Sequence, residues 1–446
     1  MADISCLYTT FNCGRKEVNV DYFAASLFGS FTNATLPPDL IVLALQEISP
    51  IGFAFLGGSL LTPYFSKLAE AVFRSVDWRY GKDADYEHVI TRNAGMTAIM
   101  VFARKSVKDS IQWIEEAGTG VGVWEMGNKG AVGIRFGLED DVLMTYVAAH
   151  LAPMEKEWER RNEDWKNLCE NLVFEPSEAS GRIAASTEQQ PLLSRSGNDN
   201  EGRHTIFSPP SHVFLAGDLN YRTSDVQPQP KDYESWPHPL TPNPDEVDFK
   251  ELLRQDQLTR EMANDKTLHN LTEAPITFAP TYKYSSKAQT LAADSSQTIA
   301  KAIRDEPSRI TETFPGLQID SVQGQNWLWA KHRIPSWCDR VLYLAKAPPQ
   351  VHTYKALPVQ PTSDHRPVSL AFSIPRKPLQ QSQRALTTFD IRKDWKQRRA
   401  AAQRYELAVG LGAYLTLTGQ GEALLAGTII GIVGGYLVLS ALLGST

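Results

Sequence analysis

Cysteine is scarce and unpaired in this sequence. Only Cys6, Cys13, Cys169 and Cys338 occur in 446 residues, and no two stand in a Cys-x-x-Cys spacing. Neither a zinc ribbon nor a disulfide framework follows from that arrangement, and a reducing compartment suits it. Positive charge is also short: 45 Lys and Arg stand against 51 Asp and Glu, a net charge of −6. No nucleic acid is expected as a partner, because bulk attraction to a phosphate backbone needs the opposite balance. Met1 to Ser5 have no basic flank and no long apolar run follows, so a cleaved secretory signal is not expected. No repeat of fixed period is present. What the chain has is 42% hydrophobic residues, enough core for one large or two ordinary domains.

The stretch Val213-Phe214-Leu215-Ala216-Gly217-Asp218-Leu219-Asn220 organises the reading. Its apolar start predicts a buried strand, and Gly217 permits a sharp turn at its end. Asp218 and Asn220 stand two apart, which in extended backbone sends both side chains to one side. A carboxylate able to take a proton from water would then stand beside an amide able to hold a phosphoryl oxygen. The bland alternative is an Asx turn.

Further buried strands are expected over 3–11, 39–45, 95–103, 142–149, 340–344 and 368–374, with helices over 64–76, 155–174 and 247–258. Two polar stretches, 175–210 and 285–324, read as insertions, the second with a helix raised around 296–303. Strands alternating with helices over about 375 residues predict an α/β layered fold. Asn12, Glu47, His150, Asp218 and Asn220 each sit just past an apolar run, and Ser363-Asp364-His365 sits just before one. Sites in sheet-based folds gather at such strand ends. Glu47 and Asn12 are hard oxygen donors of the kind that hold Mg²⁺ beside a phosphate. His150 and His365 would face that phosphate, and Asp339 would orient His365. Taken singly, each has a plainer reading: a surface carboxylate, a satisfied core histidine, a solvated lysine.

Seven segments shift that balance. Leu45-Gln46-Glu47, Asn128-Lys129-Gly130-Ala131-Val132, His150-Leu151-Ala152-Pro153 and Gly217-Asp218-Leu219-Asn220-Tyr221-Arg222 are followed by three more. These are Pro280-Thr281-Tyr282-Lys283-Tyr284, Pro335-Ser336-Trp337-Cys338-Asp339-Arg340 and Ser363-Asp364-His365-Arg366-Pro367-Val368. In this order they resemble the motifs of inositol polyphosphate 5-phosphatases, of the endonuclease/exonuclease/phosphatase superfamily. The resemblance implies a DNase I-like four-layer α/β sandwich, two packed mixed sheets flanked by helices, over residues 1–375. It implies Mg²⁺-dependent removal of an inositol 5-phosphate by direct attack of water. Asp218 would activate the water, Asn220 and His365 would bind the scissile phosphate with His150 beside it, and Asp339 would support His365. Asn12, Glu47 and Asp364 would lie on the metal side. Tyr282, Lys283 and Arg340 would contact a 4-phosphate, and Asn128 and Lys129 would lie near a 1-phosphate. A planar guanidinium and an ammonium suit phosphate oxygens.

From Ala423 to Leu443 the chain carries no charge, and only Gly444, Ser445 and Thr446 lie beyond. At about 1.5 Å per residue such a helix spans the hydrocarbon core. Arg392, Lys393, Lys396, Arg398, Arg399 and Arg404 precede it, which favours keeping that side cytosolic. The expectation is a basic linker over 376–405, a short apolar interfacial segment over 406–422, and a transmembrane tail anchor over 423–443. Gly427, Gly431 and Gly435 stand four apart, the spacing of a close-packed helix pair, so a homodimer through this helix is raised. Tethering favours lipid head groups, phosphatidylinositol 4,5-bisphosphate above soluble inositol phosphates, with the 3,4,5-trisphosphate open. The arrangement is similar to tail-anchored yeast phosphoinositide 5-phosphatases of the endoplasmic reticulum. The competing readings are a phosphodiesterase of the same superfamily, sphingomyelinase-like or a nuclease, and an inactive lipid-binding scaffold.

Overall fold

A computed structural model of the chain describes residues 3–28, 36–177, 204–237, 248–305, 328–385 and 387–443. Most of the 175–210 insertion and all of 306–324 lie outside the described residues. Among the described residues the fold rests on thirteen strands in two mixed sheets. The first sheet has the order β12 (Gln350–Ala356), β13 (Val368–Ile374), β1 (Ile4–Asn12), β2 (Leu40–Gln46), β4 (Thr97–Arg104), β3 (Tyr86–Ala94). The second has the order β10 (Leu271–Glu273), β11 (Asp339–Leu344), β9 (His212–Asp218), β7 (Leu143–His150), β6 (Gly130–Leu138), β5 (Ile111–Gly120), β8 (Glu175–Pro176).

Central strands buried on both faces explain the unbroken apolar runs of the sequence. In β1, Ile4, Cys6 and Tyr8 join the core between the sheets, while Leu7 and Phe11 face an outer core under helices. That alternation is the period of two of extended chain. The sheets meet through Phe214 and Phe372, stacked at 4.4 Å, and through Tyr8, whose hydroxyl donates to the Val147 carbonyl at 2.8 Å. Helices α1 (Val20–Leu27) and α2 (Thr62–Tyr80) cover the first sheet, and α3 (Trp158–Asn171) covers the second. The result is the four-layer, DNase I-like sandwich.

Three regions differ from the sequence reading. The stretch 247–258 is two short helices, Lys250–Leu253 and Gln257–Ala263, the second capped by the Asp256 side chain. The helix raised at 296–303 in the 285–324 insertion is longer than expected, Ser286–Asp305, and seals its start with buried Ala288 and Ala292. The third difference lies near the C-terminus, where the boundary expected at 405/406 falls inside one helix, α4 (Trp395–Leu417). It docks on the catalytic domain, with Tyr414 against Phe53 at 6.0 Å and Gly410 against Phe55. Packing against the short helix Ile51–Leu56 thus turns part of the linker and of the interfacial segment into domain structure. Helix α5 (Gly419–Leu443) follows Thr418, is exposed, and among the described residues is the one helix long and apolar enough to cross a membrane.

Candidate active site

Strand register brings the polar strand ends to one edge of the sandwich. Across the second sheet, Gly130 pairs with His150, His150 with Asp218, and Asp218 with Asp339. Across the first, Asn12 pairs with Gln46, and Glu47 follows in a left-handed conformation with φ 46°. His365 arrives just ahead of β13, whose Val368 pairs with Thr10. Seven distant segments therefore converge because their strand ends lie together.

Asp218 is the hub. Its Oδ2 accepts from Asn12 Nδ2 at 2.9 Å and lies 3.2 Å from His150 Nε2 and 3.9 Å from His365 Nε2. Its Oδ1 is buried with no partner. Burial raises the Asp218 pKa, but His365, His150 and Lys129 outweigh it and hold the carboxyl well below the usual range. His365 Nδ1 stands 2.9 Å from Asp339 Oδ2. Burial lowers the His365 pKa, yet Asp339 and Asp218 push it up to about 9, so the ring is a cation at neutral pH. Asp339 is raised by its own burial and by Asp218, against His365. Burial, and then Lys129, lower the His150 pKa, leaving a neutral ring.

Asn220 is positioned differently from the sequence reading. The strand ends at Asp218, and Asn220 has φ 58°, so the two side chains are not neighbours on one extended strand. Asn220 Nδ2 donates to the Leu151 carbonyl at 3.0 Å and Oδ1 accepts from Arg222 Nη2 at 2.5 Å. A carboxamide carries two N–H donors, so one stays available to a ligand.

Glu47 accepts from Arg15 Nε at 2.8 Å, and Lys129 Nζ lies 3.6 Å from its other oxygen and 2.6 Å from His150 Nε2. Burial raises the Glu47 pKa, while His150, Lys129 and Arg15 outweigh it and keep the group a carboxylate. Asn128 follows on the same loop, with its Oδ1 buried and unpartnered. The Tyr282 ring packs on His365 at 4.5 Å, with the Arg222 guanidinium 4.3 Å from the ring centre.

One expectation needs correction. Arg340 is fully buried and points away from the edge: its nitrogens are taken by Asp256 at 3.0 Å and Glu273 at 2.5 Å, leaving none for a 4-phosphate. Adjacent strand residues face opposite sides, so Asp339 in the site sends Arg340 out of it. Asp364, expected on the metal side, pairs with Lys283 at 2.8 Å and keeps its other oxygen 3.9 Å from His365 Nε2. The sequence reading also passed over Arg222 and Thr281. Arg222 ties Asn220 to Tyr282, and Thr281 donates to Asp339 Oδ2 at 2.7 Å. Both lie inside quoted motifs, which was the signal available.

The residues fit a hard divalent cation. Glu47, the Asn12 carbonyl oxygen and the orphaned Asp218 Oδ1 are all oxygen donors, which Mg²⁺ and Ca²⁺ prefer. Asp218, Asp339 and His365 also place ligand atoms within 4.8 Å of one another, close enough to share a metal. A cationic His365 has no free lone pair to give, so the oxygen set is the better host.

A family model, "Endonuclease/Exonuclease/phosphatase family 2", matches residues 9–371. The chain belongs to that family. Among its relatives, a type II inositol 1,4,5-trisphosphate 5-phosphatase of Mus musculus is 28% identical over 347 residues, 77% of this chain and 27% of its own length. A probable inositol polyphosphate 5-phosphatase of Schizosaccharomyces pombe is 25% identical over 416 residues, 88% of this chain and 30% of its own. The chain thus spans less than a third of the length of these curated relatives. The fold matches the 5-phosphatase domain of a synaptojanin, solved with inositol (1,4)-bisphosphate and a calcium ion. The TM-score is 0.55 at 21% identity, covering 94% of each chain.

Proposed function

We propose that this family member is a Mg²⁺-dependent phosphoinositide 5-phosphatase acting on phosphatidylinositol 4,5-bisphosphate. The observation that carries it is the buried meeting of Asp218 with Asn12, His150 and the His365–Asp339 pair at one sheet edge. Asn12 and Glu47 would hold the metal, with Asp218 beside them. When bound, Mg²⁺ would polarise a phosphoryl oxygen as a Lewis acid.

The side chains supply the rest. Asp218, held ionised, orients the attacking water and takes its proton as the P–O bond forms. Protonated His365 and the spare Asn220 N–H stabilise charge on the transferring group, and neutral His150 adds a single donor. Lys129 and Lys283 flank the site as cations for further ring phosphates, with Asn128 and Tyr282 beside them. Direct displacement breaks the bond from phosphorus to the inositol 5-oxygen, which takes up a proton from solvent as it leaves, giving free phosphate and the 4-phosphorylated lipid with no phospho-enzyme.

Helix α5 would anchor the chain, and the basic residues ahead of it favour a cytosolic catalytic domain. The endoplasmic reticulum is the membrane to test first. Gly427, Gly431 and Gly435 leave an open edge on α5, and cross-linking in vesicles tests whether two copies pair.

The deciding experiment presents the full chain in mixed micelles with 4,5-bisphosphorylated and 3,4,5-trisphosphorylated lipids, a soluble inositol polyphosphate and sphingomyelin. Phosphate release from the 4,5-bisphosphate, lost in Asp218→Asn, supports the reading. Phosphocholine release from sphingomyelin with no inorganic phosphate from any inositide overturns it in favour of a phosphodiesterase.

A further inference from the structure

Helix α4 carries Arg398, Ala402, Glu406, Gly410 and Tyr414 at a spacing of four, a row in which each residue neighbours the next and which winds slowly around the helix. The lower half of that row grips the Ile51–Leu56 helix, as described above. The upper half grips something else: the loop 121–129, which connects β5 to β6 and ends in Asn128 and Lys129.

That loop does not hold its shape on local bonds alone. Val121 N–H donates to the Lys129 carbonyl at 2.8 Å and Gly122 N–H to the Met126 carbonyl at 3.1 Å, closing its neck. At its tip, Trp124 and Glu125 have φ 54° and 59°. Two successive non-glycine residues in left-handed backbone cost about 1 kcal/mol or more each and persist only when surroundings enforce them. Beside the Met96 N–H, which donates to the Gly127 carbonyl at 2.8 Å, helix α4 adds enforcement at three points. Arg398 forms an ion pair with Glu125. The Tyr405 ring packs on Trp124 at 5.1 Å. Glu406 Oε1 accepts the Gly127 N–H at 2.6 Å. Gly127 in turn lies against Gly95 so closely that a Cβ would come within 2.9 Å of its backbone.

The consequence reaches the site in two residues. Asn128 and Lys129 follow Gly127 directly, and Lys129 Nζ stands 2.6 Å from His150 Nε2. We infer that helix α4 is a positioning element of the active site, with Glu406 as the positioning residue that fixes the Asn128–Lys129 segment. The inference deepens the 5-phosphatase reading and rests on it. It also implies that the segment joining catalytic domain to membrane span is part of the catalytic unit, so a truncation before Trp395 would weaken head-group binding.

The test uses the full chain in detergent micelles, a soluble inositol polyphosphate bearing a 5-phosphate, and amide exchange at Gly127. Glu406→Ala removes the acceptor of a charge-assisted hydrogen bond, so KM should rise about tenfold while kcat changes less than about threefold. Gly127 exchange should quicken by a similar factor, with Ile134 in β6 unchanged. Glu406→Gln keeps a carbonyl acceptor and should restore both. If Glu406→Ala does not fold, Arg398→Ala is read instead, with a threefold rise in KM expected. Unchanged KM in a folded variant overturns the inference, whether or not Gly127 exchange quickens. A wild-type chain that releases no phosphate sinks the 5-phosphatase reading instead. The inference is then judged by Gly127 exchange and the Kd of the same head group, and an unchanged Kd in Glu406→Ala overturns it.

Discussion

His365 Nδ1 faces Asp339 Oδ2 at 2.9 Å, and the same oxygen accepts from Thr281 at 2.7 Å. The second ring nitrogen therefore points toward Asp218, 3.9 Å away. A cation so held lies between two buried carboxylates, and that sandwich, more than any single contact, sets the charge state of the site.

The pH behaviour follows from this pair. His365 is pushed up to about 9, above the value of roughly 6.5 it has in an unfolded chain. A raised pKa in a cationic acid means the folded chain holds the proton more tightly. Its stabilisation is full below pH of about 6.5 and is lost as pH rises through about 9. Activity that needs the cation should fall over the same alkaline limb. Asp339→Asn removes the larger raising charge, so the limb should move to lower pH, and turnover at pH 8 should drop about a hundredfold. NMR titration of the His365 ring checks the shift directly; a limb that stays in place in the variant refutes the assignment.

Asp218→Asn preserves shape but removes the negative charge facing His365 and His150. Phosphate release should fall by about a thousandfold, of the order seen when a central catalytic group is lost. The melting temperature should change little, because Asn12 still finds an oxygen acceptor at the same place. Circular dichroism melting beside the assay separates chemistry from structure.

Metal removal gives a third outcome. Chelation should abolish turnover and Mg²⁺ should restore it. Binding also stabilises the fold, by about 2.7 kcal/mol at a hundredfold excess over Kd. Glu47→Gln should weaken the apparent metal affinity roughly tenfold or more and shrink the Mg²⁺-dependent rise in melting temperature. A rise of the same size in variant and wild type would remove Glu47 from the metal set.

The sequence told where its polar strand-end residues gather more readily than it told every strand around them. Asn12, Glu47, His150 and Asp218 were legible because each closes an apolar run, and strand ends gather in a sheet. Strand β13 was legible from its run Val368 to Ile374. Strands β3 and β5 were not, because as partly exposed strands they alternate charged residues such as Glu87, Arg92, Glu115 and Glu116 with apolar ones. The docking of α4 was hidden for a related reason: its buried face holds Arg398, Ala402 and Gly410, while Leu407 and Leu411 are exposed. No apolar stripe marks that contact, which rests on ion pairs to Glu125 and Glu175, the Glu406–Gly127 hydrogen bond, the ring pairs Tyr405–Trp124 and Tyr414–Phe53, and close approach at Gly410. Arg340 was misread because a motif carries no information about which face of a strand a residue takes.

Arg340 therefore yields the last prediction. Its guanidinium is enclosed by Asp256 and Glu273, and Glu273 also accepts from the Tyr354 hydroxyl. Arg340→Met would leave two buried carboxylates without their cation, a loss of about 3–5 kcal/mol of stability. If the residue is structural, the variant assayed well below its melting temperature should keep the wild-type KM for a 4,5-bisphosphorylated head group. If the guanidinium bound the 4-phosphate, KM would rise about tenfold or more, with selectivity over a head group lacking that phosphate lost. Denaturant melts and the two KM values together decide the role, since only the structural reading separates the two effects.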